Sequence, residues 1–385
     1  MANKPHAAGN YVSEWFGQRV YPMVRLDASK LVDDDAGVCP FLSDVQRRST
    51  ACVKNANSAG VCTVSSTSNG RRQDWLVCPY RVINSDIVSR GCQLIFGVAE
   101  AVTPVTVTIL SQPAGLHQFA ADVMALGRGY LFFQDKLGGE ISVLGTPRSP
   151  ELSFDITLVE ITPDAQGGFA ATRFGILEIQ TMDYHGTYKH AVGNLRDGLR
   201  LHPSSFAATL AANLEHWAGE KVEGPNIANV FKRTFYQMLV KFKLAGDGTA
   251  AAGTILALPR AVWDSWQPFL GAPELEDESP GIKRLRRRGK QKTTAEPLNA
   301  FICVFDLDAT APSPVSPVRI EHFIRVSPEQ LTNHAFTEVP DNILHAIRSD
   351  ESVLSRIRLR LAQWWPAFDT KKKRASSKRP RAGGE

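Results

Sequence analysis

Asp155 is followed after twenty-two residues by Glu178 and Gln180, in "FGILEIQT", a spacing that could do chemistry. Side chains of a strand alternate between its faces, so Phe174, Ile176, Glu178 and Gln180 share one face. In "SFDITLVEI" the same rule puts Asp155, Thr157 and Val159 on one face and turns Glu160 to the other. Asp155 and Glu178 can therefore converge on adjacent strands, and Glu160 could join them only through a bulge. Two carboxylates beside strand backbone form an oxygen-rich site for a hard divalent cation such as Mg2+. Their mutual repulsion is itself a reason for a cation between them.

A second set of reactive residues lies earlier in the chain. Cys39, Cys52, Cys62 and Cys78 are separated by 12, 9 and 15 residues, with no C-x2-C knuckle among them. Disulfides are not expected in a reducing compartment, and four thiols suit a tetrahedral thiolate site. Four unrelated buried residues are the alternative. Cys92 and Cys303 sit in apolar, strand-like contexts and read as core thiols.

The elements that must position these groups follow from periodicity. Residues 1–100 are rich in Cys, Ser, Thr and Asn and read as a loop-rich module needing something besides a core to hold it. Residues 101–326 alternate helical and strand-like segments. "GLHQFAADVMALGRG" reads as a helix closed by glycine. "YLFFQ", "EISVLG", "FDITLVEI", "RFGILEIQT", "GTILALP" and "AFICVFDLD" read as strands. Tyr188, Val192, Leu195 and Leu199 fall at helical spacing. So do Ile227, Val230, Phe231, Phe235, Met238, Leu239 and Phe242, with Asn226 placed to cap that helix. Residues 327–385 close with helices, including "SDESVLSRIRLRLAQWW", and a basic tail. The order predicts an α/β or α+β fold around one mixed sheet flanked by helices.

An acid followed by E-x-(K/Q/E) on the next strand is the skeleton of the PD-(D/E)xK phosphodiesterase core. The blocks "WFGQRVYP", "FFQDKLGGE", "SPELSFD", "RFGILEIQTMDYHGTYKHAVG" and "EGPNIANVFKRTFYQM" run in order from about Tyr11 to Asp308. Together they resemble the NotI-like type II restriction endonucleases of that superfamily. The resemblance implies a catalytic set of Asp155, Glu178 and Gln180, with Glu140 as an additional upstream acid. It implies that Cys39, Cys52, Cys62 and Cys78 hold a structural iron; softness and geometry alone do not separate iron from zinc. It further implies Mg2+-dependent hydrolysis of double-stranded DNA at a GC-rich palindrome, such as the eight-base-pair GCGGCCGC, and a DNA methyltransferase of matching specificity as functional partner. On physical grounds Asp155 and Glu178 would hold Mg2+, and Glu140 would support that site or a second metal. An amide cannot take a proton, so Gln180 can only orient water or backbone through hydrogen bonds.

Cutting a palindrome calls for a homodimer of matching twofold symmetry. Lys136, Asp183, His185, Lys189, Lys232 and Arg233 qualify by position for DNA contact, Lys136 and Lys189 foremost. His185 and His190 fit a structural role equally well. The net charge of +5 hides an asymmetry, for residues 283–292 and 371–381 each carry seven Lys/Arg and no acid. These segments, the first within a basic insertion at 281–297, suit phosphate-backbone attraction or simply solvated tracts. No long apolar run or apolar leader is present, which predicts a cytoplasmic, bacterial protein without a membrane span. Two rival readings are a metal-stabilised DNA-binding protein that does not cut, and a repair or mobile-element nuclease on the same core. The clustered acids argue against the first, since carboxylates beside phosphates weaken a pure binder.

Overall fold

The computed structural model describes residues 9–27, 31, 37–68, 70–245, 250–286, 299–350 and 352–365. Met1–Pro268 with Ala272–Gln330 form one compact unit, and Phe269–Gly271 with Leu331–Glu385 form another. The first unit begins with an antiparallel sheet ordered β2-β1-β3-β4, from β1 (Tyr11–Trp15), β2 (Gln18–Arg19), β3 (Val61–Ser68) and β4 (Arg71–Leu76). Helix α1 (Pro40–Gln46) lies between β2 and β3 in the chain, and α2 (Asp86–Phe96) follows β4.

Next in the chain come β5 (Val105–Thr106), α3 (Pro113–Leu126), β6 (Gly129–Gln134), a short hairpin of β7 (Ile141–Val143) and β8 (Leu152–Phe154), then β9 (Ile156–Pro163) and β10 (Phe169–Ile179). They are followed by α4 (Lys189–Leu201), α5 (Phe206–Ala212), α6 (Ile227–Leu244), β11 (Ala251–Pro259), α7 (Arg260–Leu270), β12 (Leu275–Ser279), β13 (Ile282–Leu285), β14 (Ala300–Leu307), β15 (Val318–Arg325) and α8 (Pro328–Asn333). Helices α9 (Val339–Asp350) and α10 (Ser352–Trp364) belong to the second unit.

The central sheet has nine strands in the order β12-β13-β15-β14-β11-β10-β9-β6-β5 and is mixed. β10 runs parallel to β11 and antiparallel to β9. The fold is thus mixed α/β, a large mixed sheet with helices on its faces. Alternation along β10 gives each face its own helix. Leu177 and Ile179, with Ile255 and Ala257 of β11, join the apolar cluster that contains Ile87, Ile95 and Phe96 of α2. Gly175 pairs with Gly253, and a Cβ on Gly175 would meet Ile95 at 2.3 Å, so two paired glycines let α2 lie directly on the sheet. The other face, with Ile176, Glu178 and Leu256, lies under α6.

Four details differ from the sequence reading. The first 100 residues are not short of core. Trp15, Trp75, Val12 and Val64 are fully or almost fully buried. Tyr11, Trp15 and Val64 cluster with Val192, Leu195 and Phe206 of α4 and α5, more than a hundred residues downstream, so no local pattern could announce them. Cys92 is helical rather than in a strand, on the buried side of α2 with Ile87, Val88 and Ile95. Asn226 occupies the N-cap position of α6 without a side-chain capping bond; its backbone N–H donates to the Asp183 carbonyl instead.

The basic stretch is also not a solvated tract at its start. Ile282–Leu285 is a strand paired to β12 and β15. Lys283, Arg284 and Arg286 are ion-paired to Asp277, Glu276 and Glu274 of "ELEDES" and its approach. Residues 287–298 and the 371–381 tail lie outside the described residues. Among the described residues, no helix is long and apolar enough to cross a membrane.

Candidate active site

The register that joins β9 to β10 pairs Ile156 with Leu177, which sets Asp155 directly across from Glu178. Each acid accepts from the opposite strand's backbone: the Asp155 N–H donates to Glu178 Oε1 at 3.1 Å, and the Ile179 N–H donates to Asp155 Oδ2 at 3.0 Å. Each carboxylate is thereby held by the opposite strand. Glu178 is 9% exposed. Burial, and then the nearby Asp155, push its carboxyl up to about 7 against the pull of Lys241. Burial also raises Asp155, opposed by the Ile179 N–H and by Lys241. Glu140, in the turn before β7, is raised by partial burial and by Asp155 and Asp135. Crowded acids in a low-dielectric wall disfavour their own charge, so the site is electrostatically short of a cation.

These groups line one cleft of about 320 Å³, with Tyr80, Asp135, Gln180, Thr234 and Lys241. All four expected catalytic residues, Glu140, Asp155, Glu178 and Gln180, border it. Gln180 is not free to swing. Its Oε1 accepts the Thr234 hydroxyl of α6, and its Nε2 donates to the Thr181 carbonyl at 2.5 Å. The amide ties the end of β10 to α6 as well as facing the cleft.

Of the expected DNA contacts, Asp183 and Arg233 line the cleft rim and pair with each other at 2.8 Å. Lys136 is exposed and paired to Asp135 at 3.0 Å. His185, Lys189 and Lys232 are exposed and do not line the cleft. Lys189 starts α4, where its N–H donates to Thr187 Oγ1.

Three contributors escaped the sequence reading: Lys241, Thr234 and Asp135. Lys241 is 3% exposed, and its Nζ donates to Glu178 Oε2 at 2.5 Å. The signal was present, since Thr234 and Lys241 interrupt the apolar stripe of α6 with Val230, Met238 and Phe242 at helical spacing. A polar residue on the buried side of an amphipathic helix needs a partner across the interface.

The four early cysteines approach one another at the end of the small sheet. A bridge between Val38 and Ala51 joins two loops, with the Cys39 N–H donating to Thr50 and the Cys52 N–H to Gly37. Cys62 lies in β3, and its carbonyl accepts the Val77 N–H just before Cys78. The Gly60 N–H donates to Cys52 Sγ at 3.4 Å. Burial pushes the Cys39 thiol up to about 11, with Cys78 and Cys52 adding to the effect; Cys62 rises mainly through burial and then through Cys78, and Cys78 mainly through burial with Cys52 adding. Lys54 and Arg81 pull the other way on Cys62. The four sulfurs are thus electrostatic neighbours. Even so, among the described residues no three His, Cys, Asp or Glu side chains are arranged to hold a metal ion. Cys92 and Cys303 are fully buried elsewhere in the core.

No protein-family model matches the chain, and no curated protein is significantly similar to it.

Proposed function

We propose that the protein is a type II restriction endonuclease that hydrolyses double-stranded DNA with Mg2+ at a GC-rich palindrome, acting as a homodimer. The observation that carries the reading is the cross-strand pairing of Asp155 with Glu178, with Glu140 and Gln180 on the same cleft. A purely structural acid pair buried this deeply would be matched by equal positive charge, and here three acids share Lys241.

The donor set fits Mg2+, which takes few protein ligands and completes its shell with water and phosphate oxygens. Asp155 and Glu178 would hold it, with Glu140 a further carboxylate on the same cleft. The cation would neutralise charge on the phosphate and raise the acidity of water. The backbone bonds across the strands fix both carboxylates on the cleft, where Lys241 already occupies Glu178 Oε2. Gln180, fixed by Thr234 and Thr181, can present its amide to a water or backbone group but cannot accept a proton. Arg233 and Asp183 at the rim, with Lys136, Lys189, His185 and Lys232 beyond it, are the side chains proposed to meet DNA. The four neighbouring thiols are not arranged around an ion in this structure, but they are the residues that would hold a tetrahedral iron or zinc of structural role.

The test is digestion of methylation-free plasmid and phage DNA by the purified full chain with Mg2+, followed by sequencing of the ends. Discrete fragments with one shared palindromic end sequence are expected. Undamaged DNA across a range of substrates and divalent metals would overturn the reading.

A further inference from the structure

Lys241 sits where the stripe of α6 calls for an apolar residue, three positions after Met238 and seven after Thr234. Its Nζ lies on Glu178 Oε2 and 5.8 Å from the ring centroid of Phe154, with the cleft beside it. Taking an ammonium out of water is costly, and a pair kept only for stability is readily matched by well-packed apolar residues. At position 180, where the strand could carry a lysine, an amide stands instead, and both its polar atoms are used by Thr234 and Thr181. The strand therefore brings no positive charge to the acid pair. The helix does.

We propose that Lys241 supplies from α6 the cationic donor that β10 lacks at position 180. It holds Glu178 in place and then contacts the scissile phosphate beside the acid pair. The inference rests on the nuclease reading, and the parent protein separates the two: a parent that cuts no DNA overturns both, whereas a cutting parent leaves Lys241 to be judged alone. Lys241→Met, Gln180→Lys and the double variant are compared in single-turnover cleavage with Mg2+, with DNA binding measured in Ca2+ and folding followed by thermal melting.

Lys241→Met is expected to lose roughly 100- to 1,000-fold in cleavage rate, the range for removing one preorganised donor, while binding DNA as the parent does. Moving the charge back to the strand should recover much of that loss in the Lys241→Met/Gln180→Lys variant, which a merely structural lysine would not permit. Calorimetric titration of DNA-free protein with Mn2+ at pH 8 should show tighter binding to Lys241→Met, because the metal no longer competes with the ammonium for Glu178. Should Lys241→Met not fold, the double variant and Gln180→Lys alone carry the comparison: a folded, cutting double variant supports the proposal and a folded, inactive one overturns it. Cleavage by Lys241→Met at the parent's rate, or Mn2+ affinity unchanged by it, would also overturn it.

Discussion

The two faces of the β9–β10 pair carry acids with opposite fates. On the α2 side, Glu160 takes a bidentate bond from Arg173 at 2.8 Å to each oxygen, and further bonds from Thr172 and Tyr130. These partners, Arg173 first, hold the Glu160 carboxyl below its usual range. On the α6 side, a few residues along the same strands, Asp155 and Glu178 share Lys241 with Glu140, which comes from the segment before β7, and all three are raised. Glu160 and Glu178 are both buried, at 5% and 9% exposed; the difference is whether each charge has been given its own partner. A satisfied acid stabilises a fold and leaves little to bind. An unsatisfied cluster raises the energy of the empty site and is compensated only when something positive arrives, which is why perturbed acids mark functional sites.

The sharpest way to break this comparison is at Glu178. Glu178→Ala should leave no measurable cleavage, with DNA binding retained or tightened because repulsion from the scissile phosphate is relieved. Undiminished cutting in a clean Mg2+ assay would end the catalytic assignment. The same substitution has a second readout. Mg2+ or Mn2+ should raise the melting temperature of the parent, since a ligand of the folded state adds stability by mass action, and should do so much less in Glu178→Ala. An equal rise in both proteins would put the cation elsewhere.

The cysteines extend the comparison to a second crowded site. Four thiols of like charge when ionised, beside Lys54 and Arg81, are expected to hold about one iron or zinc per chain, retained without added Mg2+. Cys62→Ser should accumulate poorly or aggregate, whereas Cys303→Ser should resemble the parent apart from a small loss of core packing. Active protein without bound iron or zinc would remove the metal from the argument, and the packed core around Trp15 and Trp75 makes that a fair contest.

Strand alternation was enough to bring Asp155 and Glu178 together and to send Glu160 away, because both follow from a period of two that no tertiary contact can alter. Lys241 was hidden for a complementary reason. Its side chain gains meaning only when α6 is laid across β10, and sequence spacing says nothing of which strand a helix will cover. The basic residues 283–286 misled in the same way. Read alone they are a solvated tract; read with "LEDES" on the far side of the turn at Gly281 they are one half of an ion-paired hairpin. Cys92 was misplaced because a short apolar run fits a strand or a buried helix face equally well.

Gln180 tests how far the active face is also structural. Gln180→Leu leaves the Thr234 hydroxyl without its acceptor, which costs roughly 1–3 kcal/mol for a buried group and should reduce cleavage as α6 loosens from the strand. Gln180→Glu keeps an acceptor for Thr234 and should retain part of the activity. Parental stability and activity in the leucine variant would show that the contact with Thr234 matters to neither.

The smallest effect belongs to the satisfied face. Arg173 is 44% exposed, so solvent screens its pairing with Glu160, and Glu160→Gln should cost on the order of 1 kcal/mol or less. Its pH dependence is the diagnostic part. Because the folded pKa of Glu160 is depressed, its contribution is fully present above the unfolded value of about 4.3 and is lost as pH falls through the folded value. The melting-temperature gap between parent and Glu160→Gln should therefore be constant near neutrality and close in acid. It should not change when Mg2+ is added, and cleavage should be unaffected. A gap that persists unchanged into acid would mean that Glu160 is held by its neutral hydrogen bonds rather than by Arg173. Sensitivity of that gap to Mg2+ would mean that the two faces are coupled through the strands, and that the satisfied acid is part of the site after all.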